Sequence, residues 1–256
     1  MGDVLGVRVD ATDASHAIET IIQWGAEREQ RSIFFCNAHM VVTSHDDAQL
    51  DAALKDADFV APDGYPVAWS LRQQGYPEQS RVTGPDLMLG LIERAALEGQ
   101  SIYLYGDTEE TLERLQSFLM TRFPTLEIAG AHSPPFRPRT DVDDQMDVSR
   151  INGTRPNLVF VALGCPRQEK WIHQNKSRVW APMLGVGAAF GFLSGSTPRA
   201  PAWMRSNGLE WAHRLAGNPR RLAKRYLVTN TLFLWRTIVP IRHRSRGASD
   251  ELPRAQ

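Results

Sequence analysis

Cysteine is nearly absent from this sequence: Cys36 and Cys165 are the only two, far apart and without CxxC spacing. Neither a disulfide framework nor a zinc site is suggested, and a reducing cytosol is the default setting. Long apolar runs are missing as well. None reaches the ~18 uncharged residues a spanning helix needs, and Met1-Gly2-Asp3-Val4-Leu5 has no basic stretch leading into an apolar core. Neither export nor a transmembrane anchor is expected. There is no GxxxxGK[ST] phosphate loop. The run from Gly185 to Gly191 resembles a dinucleotide fingerprint only loosely, with no acidic residue at the right distance in a suitable strand. His39, His45, His132 and His173 lack HExxH or paired metal spacing and read as surface or packing residues, and Ser194-Gly195-Ser196 lacks the context of a nucleophile elbow. These absences speak against nicotinamide enzymes, zinc enzymes and serine hydrolases.

Net charge is also lacking, but its zero value hides an asymmetry. Residues 198–246 hold eleven basic side chains, among them Arg214, Arg221 and Arg225, against the single acid Glu210. Residues 1–197 carry seventeen basic and twenty-six acidic side chains. An acidic body with a basic tail implies an anionic partner at the tail: nucleic acid, a phosphorylated ligand or an anionic membrane. No helix-turn-helix, RRM or zinc module is recognisable, so nucleic acid is the weaker choice. Basic residues interleaved with Trp203, Trp211, Tyr226, Leu227, Phe233, Leu234 and Trp235 are the composition of an interfacial amphipathic segment.

With 42% hydrophobic residues, the body can bury a sizeable core. Ala17, Ile18, Ile21, Ile22 and Trp24 form a helical stripe, and Ile33-Phe34-Phe35-Cys36 is a short buried-strand run that ends at Asn37-Ala38-His39. A helix carrying Leu50, Ala53, Leu54 and Ala57 leads to a strand at Asp58-Phe59-Val60. Thr83 opens a helix that Gly99 stops, before a strand over residues 101–105. Gly106-Asp107-Thr108 then starts another helix. A short strand is expected at residues 128–130. The prolines of residues 132–138 indicate a loop, with residues 139–147 as its exposed continuation. Residues 158–164 form the clearest strand, followed by a helix from Arg167 and a Gly-rich strand end at residues 183–190. Repeated strand, loop and helix units predict a mostly parallel sheet covered by helices, which binds ligands at the carboxyl ends of its strands. Asn37, Asp63, Gly106, Asp107 and Gln168 all fall at such ends.

Asp63 stands out among them. It ends a short apolar run and is followed at once by Gly64. Phe59, Val60, Tyr65 and Trp69 are expected to desolvate it in part, which lifts a carboxylate towards the range of a general base. Pro62-Asp63-Gly64 also suits a plain turn.

Five ordered segments carry a resemblance: Asn37-Ala38-His39, Ala61-Pro62-Asp63-Gly64, Arg81-Val82-Thr83-Gly84-Pro85-Asp86, the run from Gly164 to Trp171, and Gly185-Val186-Gly187-Ala188-Ala189-Phe190. Together they resemble glycosyltransferase family 26, the bacterial enzymes of teichoic-acid, enterobacterial common antigen and exopolysaccharide assembly. The resemblance covers residues 15–235. It implies a metal-independent, inverting transfer, without a cofactor, from a UDP-sugar to a sugar carried on a polyprenyl diphosphate at the inner membrane surface.

By that resemblance Asp63 is the base, Asn37 and Gln168 bind the donor sugar, and Arg81, Gly106, Asp107, Arg214, Arg221 and Arg225 serve the diphosphate. For Arg81 a structural salt bridge, and for Gln168 a helix cap, are the competing roles. The basic segment resembles the family's carboxyl-terminal appendage, which closes over the active site at the membrane. One departure is Phe35, which stands where the family often has Thr; it leaves the donor open between N-acetylmannosamine, glucose and a uronic acid. The expected architecture is an α/β, Rossmann-like, mostly parallel sheet over residues 1–197, with a basic helical appendage at 198–246 and a terminal tail at 247–256. A non-catalytic protein binding anionic ligands or nucleic acid is the class-level alternative. Self-association is left open.

Overall fold

The computed structural model describes residues 1–217 and, beyond them, 229, 231–233, 235 and 237. The chain starts with an antiparallel hairpin, β1 (Gly2–Val4) and β2 (Val7–Val9). Its two-residue turn has φ of 55° at Leu5 and 88° at Gly6, the positive pair that a tight hairpin requires. Helix α1 (Ala14–Glu27), capped by Asp13, leads to β3 (Ser32–Cys36), α2 (Ala38–Ser44), α3 (Ala48–Lys55) and β4 (Phe59–Pro62). Then follow α4 (Tyr65–Gln73), α5 (Gly84–Glu98), β5 (Ser101–Gly106), α6 (Glu109–Arg122) and β6 (Glu127–His132). The body closes with α7 (Asp141–Thr154), β7 (Leu158–Ala162), α8 (Arg167–Asn175), β8 (Met183–Gly185) and the short α9 (Ala189–Leu193). Two further helices, α10 (Ala202–Ser206) and α11 (Glu210–Gly217), belong to the basic segment.

The six strands after the hairpin form one parallel sheet in the order β4-β3-β8-β7-β5-β6. Its strands are nearly wholly apolar because both faces are covered. Alternation sorts the side chains cleanly. Ile102 and Leu104 of β5 join the layer of α1, α5 and α6, while Tyr103 and Tyr105 join the layer of α3, α7 and α8. The hairpin shields the outer edge at β4: Asp10 N donates to Val60 O at 2.9 Å, and Val60 N donates to the Asp10 carboxylate at 2.8 Å.

The sheet and the main helices agree with the expected architecture. Three local expectations are corrected. Residues 139–147 are not an exposed loop: Thr140 and Asp143 form a capping box that starts α7. His132 is the last residue of β6, not part of the loop. Short helices also begin directly after Asn37 and Gly64, where only strand ends were expected. No helix among the described residues is long and apolar enough to cross a membrane.

Candidate active site

Successive strands run outward from the sheet centre in opposite directions, β3 to β4 on one side and β5 to β6 on the other. The crevice of such a sheet opens at the reversal, over the carboxyl ends of the strands. Here a cleft of about 1320 Å³ occupies that place, lined from the ends of β3, β4, β5, β7 and β8. Asn37, Asp63, Arg81, Asp107 and Gln168 all line it. Sequence reasoning therefore selected residues that the fold gathers from five separate segments.

Asp63 follows β4, with its N–H donating to Cys36 O at 2.9 Å. Gly64 has φ of 86°, which turns the chain at once into α4 and keeps a side chain out of the space beside the carboxylate. The expected apolar wall is only half present. Phe59 and Val60 are buried in the two opposite core layers, whereas Tyr65 and Trp69 are 48% and 37% exposed. Beneath Asp63 lies the buried Cys36 thiol. Its pKa is raised, first by burial and then by the negative fields of Asp63 and Glu169.

Asn37 caps α2, its side-chain oxygen accepting from Met40 N at 3.1 Å. Arg81 donates to the Arg205 carbonyl, which ties the start of the basic segment to the rim of the cleft, and it makes no salt bridge among the described residues. The same tie is made one turn away. Thr83 caps α5 and donates to Asp86 at 2.7 Å, and Asp86 accepts from Arg199 at 2.7 Å, with Arg205 at 3.6 Å. These contacts hold the Asp86 carboxyl below the usual carboxylate range against the burial that opposes them.

Gln168 is 4% exposed, and its amide is committed to the protein. Nε2 donates to Glu169 and to Gly185 O, both at 2.8 Å, while Oε1 accepts from Gly164 N at 3.1 Å. It therefore clamps the β7 turn onto the end of β8. A Cβ at Gly185 would lie 3.0 Å from the Gln168 amide nitrogen, so the Gly-rich strand end makes room for this clamp. Phe35 is buried under the first turn of α5, against Gly84.

Gly106 sits where β5 presses on β7, and a Cβ there would lie 2.5 Å from Ala162 O; its φ is 113°. Asp107 follows with φ of 57°, and its carboxylate accepts from Thr108 N at 2.8 Å. Thr108 caps α6, whose first turn carries Glu109 and Glu110. Helix α8 also carries an acid in its first turn, the buried Glu169, but it has no side-chain cap and begins with Arg167. The first turn of such a helix favours an anion.

Residues 166–168 were expected to supply a helix start for the diphosphate, but the charged side chains of this rim had not been singled out. Arg167 stacks on Phe136 at 4.6 Å from the ring centroid and has no carboxylate partner among the described residues. Arg137 pairs with Asp143 at 2.8 Å, Arg139 with Asp144 at 2.8 Å, and Lys170 with Asp47 at 2.6 Å. Below the 133–139 loop lies a cluster that holds it. Tyr105 donates to Asp147 at 2.6 Å and stacks on Trp171 at 4.5 Å; Trp171 Nε1 donates to Asp144 at 3.0 Å; His132 lies 3.1 Å from Asp147. Burial lowers the His132 pKa and, with Asp147, raises that of Tyr105. Arg214 lies on α11, and Arg221 and Arg225 lie outside the described residues. Among the described residues no group of three or more His, Cys, Asp or Glu could hold a metal ion.

A doubly wound parallel sheet with a crevice over its reversal point places this protein among the Rossmann-like α/β folds, whose ligand crevices lie at the carboxyl ends of the strands. The chain belongs to the glycosyl transferase WecG/TagA/CpsF family, whose sequence pattern matches residues 2–247. It is 37% identical over 177 residues to an N-acetylglucosaminyldiphosphoundecaprenol N-acetyl-beta-D-mannosaminyltransferase of Bacillus spizizenii, a match covering 67% of this chain and 65% of that relative. A protein of the same name from Bacillus subtilis is 36% identical over 180 residues, covering 66% of this chain and 68% of the relative. One from Staphylococcus aureus is 29% identical over 228 residues, covering 87% of each.

Proposed function

We propose that the protein transfers an N-acetylmannosamine-type sugar from a UDP-sugar to a saccharide on a polyprenyl diphosphate, with inversion and without a metal. The observation that carries this reading is the placement of Asp63 on a cleft whose other side presents Arg167 at the uncapped start of α8. Inversion needs one base on the acceptor side and charge stabilisation on the leaving-group side. The acceptor hydroxyl gives its proton to Asp63 as its oxygen bonds to the anomeric carbon. The bond from that carbon to the diphosphate breaks with its electron pair, and UDP leaves. Arg167, the first turn of α8 and the tail arginines Arg214, Arg221 and Arg225 take up the developing charge. The names of the relatives support both the sugar and the lipid-linked acceptor, and the basic, Trp-rich segment supports work at the inner face of the membrane. Residues 1–197 form the transferase domain and 198–246 its appendage.

The test is UDP release from a panel of UDP-sugars with a synthetic polyprenyl-diphosphate-linked N-acetylglucosamine. Release is expected with UDP-N-acetylmannosamine and is expected to survive excess EDTA. Release with UDP-glucose or a UDP-uronic acid instead would reassign the donor, and no release with any donor would return the protein to the class of non-catalytic anion binders.

A further inference from the structure

The ring of Tyr65 stands two residues from Asp63 and lines the same cleft, yet it is 48% exposed. It is also held. The Arg72 guanidinium lies 5.3 Å from the ring centroid and is itself fixed by donating to Gln79 O at 3.0 Å. From the basic segment, Gly208 packs against the ring: a Cβ there would lie 3.5 Å from Tyr65 Cβ, Cγ and Cδ2, and Gly208 has φ of 71°. Three residues further on, Trp211 lines the cleft too. One turn along α4 the exposed Trp69 continues the face that Tyr65 begins, and the exposed Leu209 and Trp203 flank Gly208 in the chain. With Arg72 and Gly208 in contact, Tyr65 still keeps 48% of its surface open on the cleft that Asp63 lines, and that open surface calls for an occupant, as does the apolar surface leading away from it.

We infer that Tyr65 is the platform for the acceptor: the saccharide of the lipid-linked acceptor lies with its C–H face on the ring, and the polyprenyl chain leaves along Trp69. This rests on the proposed transfer to a lipid-linked sugar and adds the residues that select the acceptor. A pyranose in a chair presents weakly positive C–H bonds on one face, which match the negative face of an aromatic ring. Stacked there, the sugar brings a hydroxyl to Asp63 from the side opposite Arg167. That is the geometry an inverting displacement requires. The tyrosine hydroxyl has no part in this, so phenylalanine should serve equally well.

The experiment is steady-state kinetics of Tyr65→Ala, Tyr65→Phe and Trp69→Ala, with two acceptors that carry the same saccharide diphosphate on a long or a short lipid. Tyr65→Leu, which keeps apolar bulk but loses the flat face, is the second variant should Tyr65→Ala fold poorly. Tyr65→Ala and Tyr65→Leu are expected to raise KM for both acceptors roughly tenfold, with KM for the donor and the affinity for UDP within about twofold of wild type. Tyr65→Phe should restore the acceptor KM. Trp69→Ala should raise KM for the long-chain acceptor alone. An unchanged acceptor KM in the Tyr65 variants, or an equal rise in donor KM, overturns the platform while wild-type turnover upholds the transfer itself. Absence of acceptor-dependent UDP release in the wild type overturns both.

Discussion

On the β4 side of the cleft the exposed groups are rings, Tyr65 and Trp211, beside the carboxylate of Asp63. On the side of β5 to β7 they are Arg137, Arg167 and the ring of Phe136, with Arg139 half-buried among them and the uncapped start of α8. The two rims also differ in how their groups are fixed. The ring side is held by packing and by backbone contacts from the basic segment. On the cationic side Arg137 and Arg139 are spent on Asp143, Asp144 and Asp147, whereas Arg167 has no carboxylate partner among the described residues. Counting cations would therefore overstate the anion-binding power of that rim. On the proposed reading, a neutral, hydroxyl-bearing acceptor takes one side of the cleft and a diphosphate the other.

The sharpest way to break this division is at the base. Asp63→Asn should lower turnover by ~10² to 10⁴ while UDP affinity and melting temperature stay near wild type, because only the acceptor side loses its proton acceptor. Wild-type turnover in this variant would remove Asp63 from the mechanism.

Next come the arginines of the basic segment. A charge-assisted contact at a desolvated diphosphate is worth roughly 1.5 to 3 kcal/mol, against little for a solvated surface arginine. Single Arg214→Ala, Arg221→Ala and Arg225→Ala variants should each lose roughly tenfold or more on a short, soluble acceptor. Vesicle binding measured in parallel separates this from anchoring. Unchanged turnover with weakened vesicle binding would make the segment an anchor and leave the cationic rim to stabilise UDP alone.

Arg167→Ala probes that rim directly. It should raise donor KM roughly tenfold with acceptor KM unmoved, the mirror image of the Tyr65 result. A rise in acceptor KM would mean that the two sides are not separate.

The smallest effect concerns the clamp on the ring side. Asp86→Asn should cost less than about 1 kcal/mol at pH 7, since its pair with Arg199 is partly exposed. The folded-state pKa of Asp86 is depressed, so its stabilisation is complete above the unfolded value and is lost as pH falls through the folded one. The gap between wild type and variant in urea melts should therefore close as pH drops below about 4. A gap that persists at pH 2 would assign the effect to something other than the charge.

Much of this was legible before the fold was known. The apolar runs of β3, β5 and β7 mark buried parallel strands, and Thr83 with Gly99 marks both ends of α5, because these signals are local. Asn37, Asp63 and Gln168 could be picked out because ligands of such sheets bind at the strand ends, although a helix cap accounts for Asn37 and a clamp for Gln168. The fate of Gln168 could not be read, since its amide is consumed by Gly164 and Gly185, which only the meeting of β7 and β8 supplies. The pairing of Asp86 with Arg199, 113 residues apart, was likewise invisible. Helix α7 was missed because its acidic, weakly amphipathic sequence hides the periodicity, although its capping box was in plain view.

The three-residue strand β8 has a consequence for how the chain comes to be folded at all. Among the described residues it is the last strand in sequence, yet it lies in the middle of the sheet, joined to β3 through Ser32 and Ile33 and to β7 through Val159, Phe160 and Val161. Before residues 183–185 have left the ribosome, any pairing of β4 with β3, or of β7 with β5 and β6, leaves an unpaired inner edge of the kind that recruits other strands. Only when residues 183–185 emerge can these edges be closed, and the same event brings Asn37 and Gly187 to opposite sides of one crevice. The central strand is thus a keystone. Without it, β3 and β7 have no common neighbour, and each presents the unpaired edge that β8 covers.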